Sequence, residues 1–299
     1  MNLLRRIQEY RKSYNNFISA MWGVKNHREN MKVILKDGTA HTWTWWQVGQ
    51  YALFVPYIKE SNVVDYFDGK SEYLQFNYGD TQLIFNGARN DGDIGSVFGS
   101  EDYEILKPEN EIVIDIGANI GDSSIYFALN KAKYVIALEP YPYTFNLAVQ
   151  NIKVNNLNDK ITILNSGYGK ASEIVKVDEK MRDTLGAILI PSNEGKEVKL
   201  YSLKMLLKEF RIKEALLKMD CEGCEYNILN EDDDVLRKFK RIALEFHCGY
   251  RNIENKLINA GFSINVLRIK KSYGKDPPLK SSAQKNNDYT IGLLFAKLI

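Results

Sequence analysis

The stretch "ALLKMDCEGCEYNIL", Ala215 to Leu229, places Asp220 and Glu222 directly after an apolar run that itself contains Lys218. A second apolar run, "RIALEFHC", leads into His247. Two carboxylates and an imidazole at the ends of apolar runs have the make-up of a proton-transfer site. An unperturbed imidazole titrates near neutral pH. His247 is therefore the first candidate for a general base, with Glu222 orienting it or serving as the base itself. Asp220 stands with them in the catalytic group. Lys218 either pairs with one of these acids or touches substrate oxygens. The plain alternative for His247 is a hydrogen-bonded histidine at a strand end.

A second constellation lies upstream. "EIVIDIGANIGDSSIYFAL" runs from β-branched residues into the pattern Asp115-x-Gly117-x-Asn119-x-Gly121 and then becomes apolar again. A strand that ends in glycines and leads into a helix lets the backbone approach a cofactor at the carboxyl end of a parallel sheet. A nicotinamide loop prefers G-x-G-x-x-G, which Asn119 and Gly121 fit poorly. The next apolar run, "KYVIALEP", ends in Glu139, placed to accept hydrogen bonds from ribose hydroxyls. Asp115, Gly117, Asn119, Gly121 and Glu139 are the expected cofactor-binding residues. A plain glycine turn is the alternative for the loop.

Cys221-x-x-Cys224, with His247-Cys248 at the end of another run, has zinc-ligand types. No second Cys pair exists among the three cysteines. Buried free thiols are expected, and no metal.

These residues must be positioned by the elements around them. From Glu111 onward strand-like and helix-like runs alternate, which implies a parallel sheet with helices on both faces. The end breaks that rhythm. "FSINVLRI" and "DYTIGLLFAKL" have no helical pattern between them, so they must pair antiparallel. A helix-alternating sheet closed by an antiparallel pair is the plan of adenosylmethionine-dependent methyltransferases rather than of the dinucleotide fold. Before this region, Leu3, Ile7, Tyr10, Tyr14, Phe17 and Met21 follow helical spacing. "MKVILKDGTAHTWTWW" reads as a hairpin about Asp37-Gly38, and further turns are expected at Asp68-Gly69 and Gly79-Asp80. Trp43, Trp45 and Trp46 are either core or a sugar-stacking surface. The glycine-rich stretch from Asn86 to Glu104 is either a mobile lid or a linker. The organisation expected is residues 1–90, a helix with antiparallel strands, followed by 91–299, an α/β Rossmann-like domain.

Composition narrows the class. The 299 residues are 44% hydrophobic and 26% charged, as in a soluble globular protein. A net charge of +2 without a long basic run gives no ground for a nucleic-acid partner, and none is expected. Neither a transmembrane segment nor a signal peptide is read, and a cytoplasmic protein is expected. Self-association through the N-terminal helix is a further expectation.

The stretches "YEILKPENEIVIDIGANIGDSSIYFA", "VIALEPYPYTFNLAVQNIKVNN", "LLKMDCEGCEYNIL" and "RIALEFH" resemble, in order and spacing, the signatures of the FkbM family of methyltransferases. The box Lys218-x-Asp220-x-Glu222-Gly223-x-Glu225 is the most specific of these. The resemblance implies a class I methyltransferase fold, S-adenosyl-L-methionine as cofactor and O-methylation of a hydroxyl on a sugar, glycan or natural product. Cys221, Cys224 and Lys204 depart from the family pattern, and residues 1 to about 90 have no counterpart in it. Two other functions compete: a nicotinamide-dependent oxidoreductase on a related sheet, and a non-catalytic binding protein that uses the N-terminal region.

Overall fold

A computed structural model describes residues 3–36, 38–54, 64–67, 72–87, 93–169, 173–179, 195–271 and 290–299. The Asp68-Gly69 turn, Asp37, the side chain of Trp46 and the polar stretch 272–289 lie outside the described residues. The chain forms two compact units, Met1–Asp102 and Tyr103–Ile299.

The first unit contains α1 (Leu3–Ser13), α2 (Phe17–Lys25), β1 (Met31–Ile34), β2 (Ala40–Trp43), α3 (Trp45–Phe54), β3 (Val64–Phe67), β4 (Glu72–Tyr78) and β5 (Thr81–Asn86). Strands β1 and β2 form the expected hairpin, and β3, β4 and β5 a second antiparallel sheet. The single N-terminal helix becomes two, because the chain between them is held by strand β1. Asn15 Nδ2 donates to Leu35 O at 2.8 Å, and Asn16 accepts from Ile34 N at 2.8 Å. Helix α3 takes the place of an extended Trp-rich strand end. Thr44 and Gln47 form a reciprocal capping box, with Thr44 N donating to Gln47 Oε1 and Gln47 N to Thr44 Oγ1. Trp43 is buried against Tyr51, as a core residue is. Within the glycine-rich stretch, residues 94–98 pack into the first unit. Ile94, Val97 and Phe98 are buried, and the Phe98 ring lies against Phe76, Tyr78 and Phe85.

The second unit runs through β6 (Ile112–Ile116), α4 (Asp122–Leu129), β7 (Tyr134–Leu138), α5 (Pro142–Val154), β8 (Ile161–Leu164), β9 (Ser166–Tyr168), β10 (Ile174–Val177), β11 (Lys196–Tyr201), α6 (Leu203–Glu209), β12 (Ala215–Met219), α7 (Asp233–Leu236), β13 (Phe239–Phe246), α8 (Arg251–Asn259), β14 (Phe262–Lys271) and β15 (Thr290–Leu298). Seven of these strands form one sheet in the order β14-β15-β13-β12-β6-β7-β8. Its central strands are buried on both faces, which is why "IVIDI", "YVIAL" and "ALLKM" read as unbroken apolar runs. Strand β15 enters between β13 and β14, antiparallel to both. Strands β9, β10 and β11 form a separate small sheet that the sequence reading left blank. The chain leaves β6 towards β7 on one side and returns as β12 on the other. The crevice at this switch point, outside the strands' carboxyl ends, is where α/β sheets bind ligands.

The entry of β15 depends on one small residue. A Cβ at Gly292 would lie 1.9 Å from Arg268 O and 2.7 Å from the Phe246 ring. Gly292→Ala is expected to destabilise the protein by ~1–3 kcal/mol, the usual cost of overpacking. An unchanged urea-denaturation midpoint would contradict this strand register.

Candidate active site

Asp115 on β6 and Lys218 on β12 are register partners on adjacent parallel strands. Their side chains are 0% and 3% exposed, and Lys218 Nζ lies 3.1 Å from Asp115 Oδ1. The hydroxyls of Ser123 and Ser124, on the first turn of α4, donate to Asp115 Oδ2 at 2.7 and 2.6 Å. Lys218 also donates to Gly117 O at 2.7 Å. Burial works against the ammonium charge, but Asp115, Asp220 and Asp122 more than offset it and raise the Lys218 pKa. Lys218 therefore pairs with Asp115 rather than with the acids of its own box. Both brace the loop between β6 and α4.

That loop is tightly determined. Gly117 has φ +77°, and a Cβ there would lie 1.8 Å from Asp220 O. Only glycine lets the loop pass so close to the end of β12. Asn119 takes φ +49°, and its N–H donates to Glu139 Oε2 at 3.0 Å. Glu139, at the end of β7, also accepts from Tyr141 N at 2.9 Å and Thr144 Oγ1 at 3.0 Å. Burial nevertheless pushes its pKa up to about 7, against the pull of those donors. A carboxylate offers about four acceptor positions, so these three donors leave one open.

Asn165, just beyond β8, was not singled out in the sequence. Its amide donates to Glu139 O at 3.0 Å and Pro140 O at 2.9 Å. This leaves its Oδ1 buried without a partner. A lone Asn after a short strand carried no signal.

The acid box meets His247 beyond β12 and β13. Nε2 of His247 lies 3.1 Å from Glu222 Oε2 and 4.0 Å from Asp220 Oδ1. Its Nδ1 lies 3.0 Å from Glu225 Oε1, and because a carboxylate only accepts, Nδ1 carries the hydrogen. Glu225 is fully enclosed and also accepts from Gly223 N at 2.7 Å and His247 N at 3.2 Å. Tyr103 Oη donates to Asp220 Oδ2 at 3.1 Å. Tyr103 precedes Asp220 by 117 residues, so nothing local in the sequence connects them.

Residues 115–264, half of the chain, match the model of the methyltransferase FkbM domain. The chain belongs to the FkbM methyltransferase family. S-adenosylmethionine is its cofactor, and residues 115–264 form its methyltransferase domain. The Sordaria araneosa methyltransferase sdnD is 24% identical over 178 residues, 46% of this chain and 67% of that protein. A Pyrococcus horikoshii tRNA(Phe) (4-demethylwyosine(37)-C(7)) aminocarboxypropyltransferase is 39% identical over 62 residues, 21% of this chain. The match spans only 22% of that protein's length. Among solved structures, M. jannaschii TYW2 in complex with AdoMet aligns with a TM-score of 0.39 and 14% identity, covering 79% of this chain and 92% of that one. Among the described residues no helix is long and apolar enough to cross a membrane.

The site of this FkbM enzyme fits its donor. The open position on Glu139 suits a ribose hydroxyl, and the unpartnered Oδ1 of Asn165, beside Glu139, suits an adenine amino group. Burial disfavours a charged His247, but the Glu225 hydrogen bond and the charges of Glu225, Glu222 and Asp220 outweigh it and push the pKa up to about 10. Cys221 and Cys224 are not free thiols but form a disulfide. The turn between them, with φ +53° at Glu222 and +115° at Gly223, folds the chain back. Their Cα atoms come to 5.4 Å, within disulfide reach. Cys248 is buried and lies outside the disulfide.

Two outcomes are expected. Lys218→Met should cost ~3–5 kcal/mol by stranding Asp115 as a buried charge. Lys218→Met combined with Asp115→Asn should recover part of that loss in urea denaturation. A single-variant cost below about 1 kcal/mol would reduce the pair to the level of a surface contact. The second outcome concerns pH. Ribose hydroxyls donate to the ionised carboxylate, whereas burial favours the protonated form. Adenosylhomocysteine affinity should therefore rise as pH increases through about 7, approaching tenfold per pH unit on the acid side. Calorimetry should find that slope absent in Glu139→Gln; the same slope in both proteins would remove Glu139 from donor binding.

Proposed function

We propose that this chain methylates a hydroxyl oxygen of a sugar, a glycan or a natural product. The supporting observation is the arrangement of Asp220, Glu222 and His247 beyond the carboxyl ends of β12 and β13. When bound, S-adenosylmethionine supplies a methyl group that is already activated. The chain's own work is then to hold the acceptor in line and to remove its proton. Glu222 takes that proton. Its carboxylate is 29% exposed, whereas that of Glu225 is fully enclosed. His247 holds the Glu222 carboxylate in place, and Tyr103 does the same for Asp220. Methyl transfer is assigned to the second unit, and the first unit is accessory to it.

The test uses a donor labelled in its methyl group, offered with glycans, small hydroxylated natural products and tRNA. The expected product carries the label as an O-methyl ether, identified by the shift of the methyl carbon. Glu222→Gln should lower kcat by roughly 10²–10⁴, the span for loss of a general base, with adenosylhomocysteine affinity unchanged. Label on a tRNA base, or wild-type turnover in Glu222→Gln, would overturn this reading.

A further inference from the structure

Asp220, Glu222 and His247 each offer one ligand atom, and the three atoms lie within 4.8 Å of one another. We propose that they bind one divalent cation, Mg2+ or Mn2+, beside the place where the acceptor hydroxyl must sit. This rests on the reading of a hydroxyl acceptor given above.

The spacing suits an octahedral ion. Ligands at about 2.1 Å from such an ion lie about 3 Å apart when adjacent and about 4.2 Å apart when opposite. The observed separations from Nε2 are 3.1 Å to Glu222 and 4.0 Å to Asp220.

The supports point the same way. A metal-binding histidine commonly donates its other ring N–H to a carboxylate, which fixes the tautomer and aims the free nitrogen. Glu225, outside the trio, does this for His247 and is itself 0% exposed. Tyr103 occupies Asp220 Oδ2, so the oxygen that faces His247 is Oδ1.

Charge and donor type agree. Asp220, Glu222 and Glu225 surround one imidazole, and the nearby Lys218 is already paired with Asp115. The trio's neighbourhood is negative even with His247 protonated. Two carboxylates and one imidazole favour a hard cation, and the neighbouring cysteines are tied to each other and offer no thiolate. Such an ion would act as a Lewis acid on the acceptor hydroxyl and ease its loss of a proton.

The experiment is a calorimetric titration of Mn2+ into the full chain after dialysis against a chelator. One Mn2+ per chain is expected, displaced by excess Mg2+. Glu222→Gln and Asp220→Asn should each weaken Mn2+ by at least about tenfold, and Glu225→Gln by roughly 10–100-fold, as for loss of an orienting group. Unchanged adenosylhomocysteine binding shows that each variant is folded. Chelation should abolish methyl transfer, and Mg2+ should restore it. The proposal is overturned by the absence of saturable binding up to millimolar Mn2+. Undiminished binding in both ligand variants, or full turnover of the chelated enzyme, overturns it equally. In that last case hydroxyl methylation stands without a metal. If Mn2+ binds as described but the methyl group is found on a nitrogen or carbon acceptor, the cation site is upheld and the hydroxyl reading falls.

Discussion

The buried pairing of Asp115 with Lys218 ties together every part of the site. Taking two charges out of water is costly and is offset only when their remaining hydrogen-bonding positions are filled. Here Ser123 and Ser124 fill those of Asp115 Oδ2, Oδ1 faces the Lys218 ammonium, and Gly117 O takes a hydrogen bond from Lys218. Satisfying the pair thus requires β6, β12, the glycine loop and the first turn of α4 to be in place together. Because the loop is drawn down to Lys218, Gly117 meets the backbone of Asp220 with no room for a side chain. The donor loop and the acid box are consequently positioned by the same contact.

The two halves of the site differ in electrostatic character. Around Glu139 the protein supplies backbone and hydroxyl donors to one deeply buried carboxylate, and burial still prevails in its pKa. Around His247 the reverse holds: carboxylates crowd one imidazole and prevail over burial. The first environment suits an uncharged polar group such as a ribose. The second suits positive charge, whether on an imidazolium, a metal ion or the donor's sulfonium. The disulfide between Cys221 and Cys224 encloses Glu222 and Gly223 and so limits the freedom of the turn that carries the Glu222 carboxylate.

The first unit illustrates how local signals compete. The spacing from Leu3 to Met21 continues a helical face through Asn15 and Asn16, yet the chain breaks there because both asparagines bond to β1. The Thr44-x-x-Gln47 cap is itself legible in the sequence. It competes with the run of tryptophans, whose strand preference is a matter of packing rather than of backbone.

Much of the second unit could be read in advance because its signals are local. Apolar runs mark strands buried on both faces, glycines mark the loop, and the missing helix near the end forces an antiparallel pair. The members of the site were legible for the same reason: Asp220, Glu222, His247, Gly117 and Glu139 all sit where an apolar run ends. Their surroundings were not. Lys218 and Asp115 neutralise each other because β6 and β12 are neighbours in register, although more than a hundred residues of chain separate them. Three carboxylates close on His247 and raise its pKa, and Tyr103 joined the site only across the fold. A pKa, an ion pair or a disulfide depends on distance and dielectric between groups. Those quantities come into being when the sheet assembles and brings distant stretches of chain within a few ångströms.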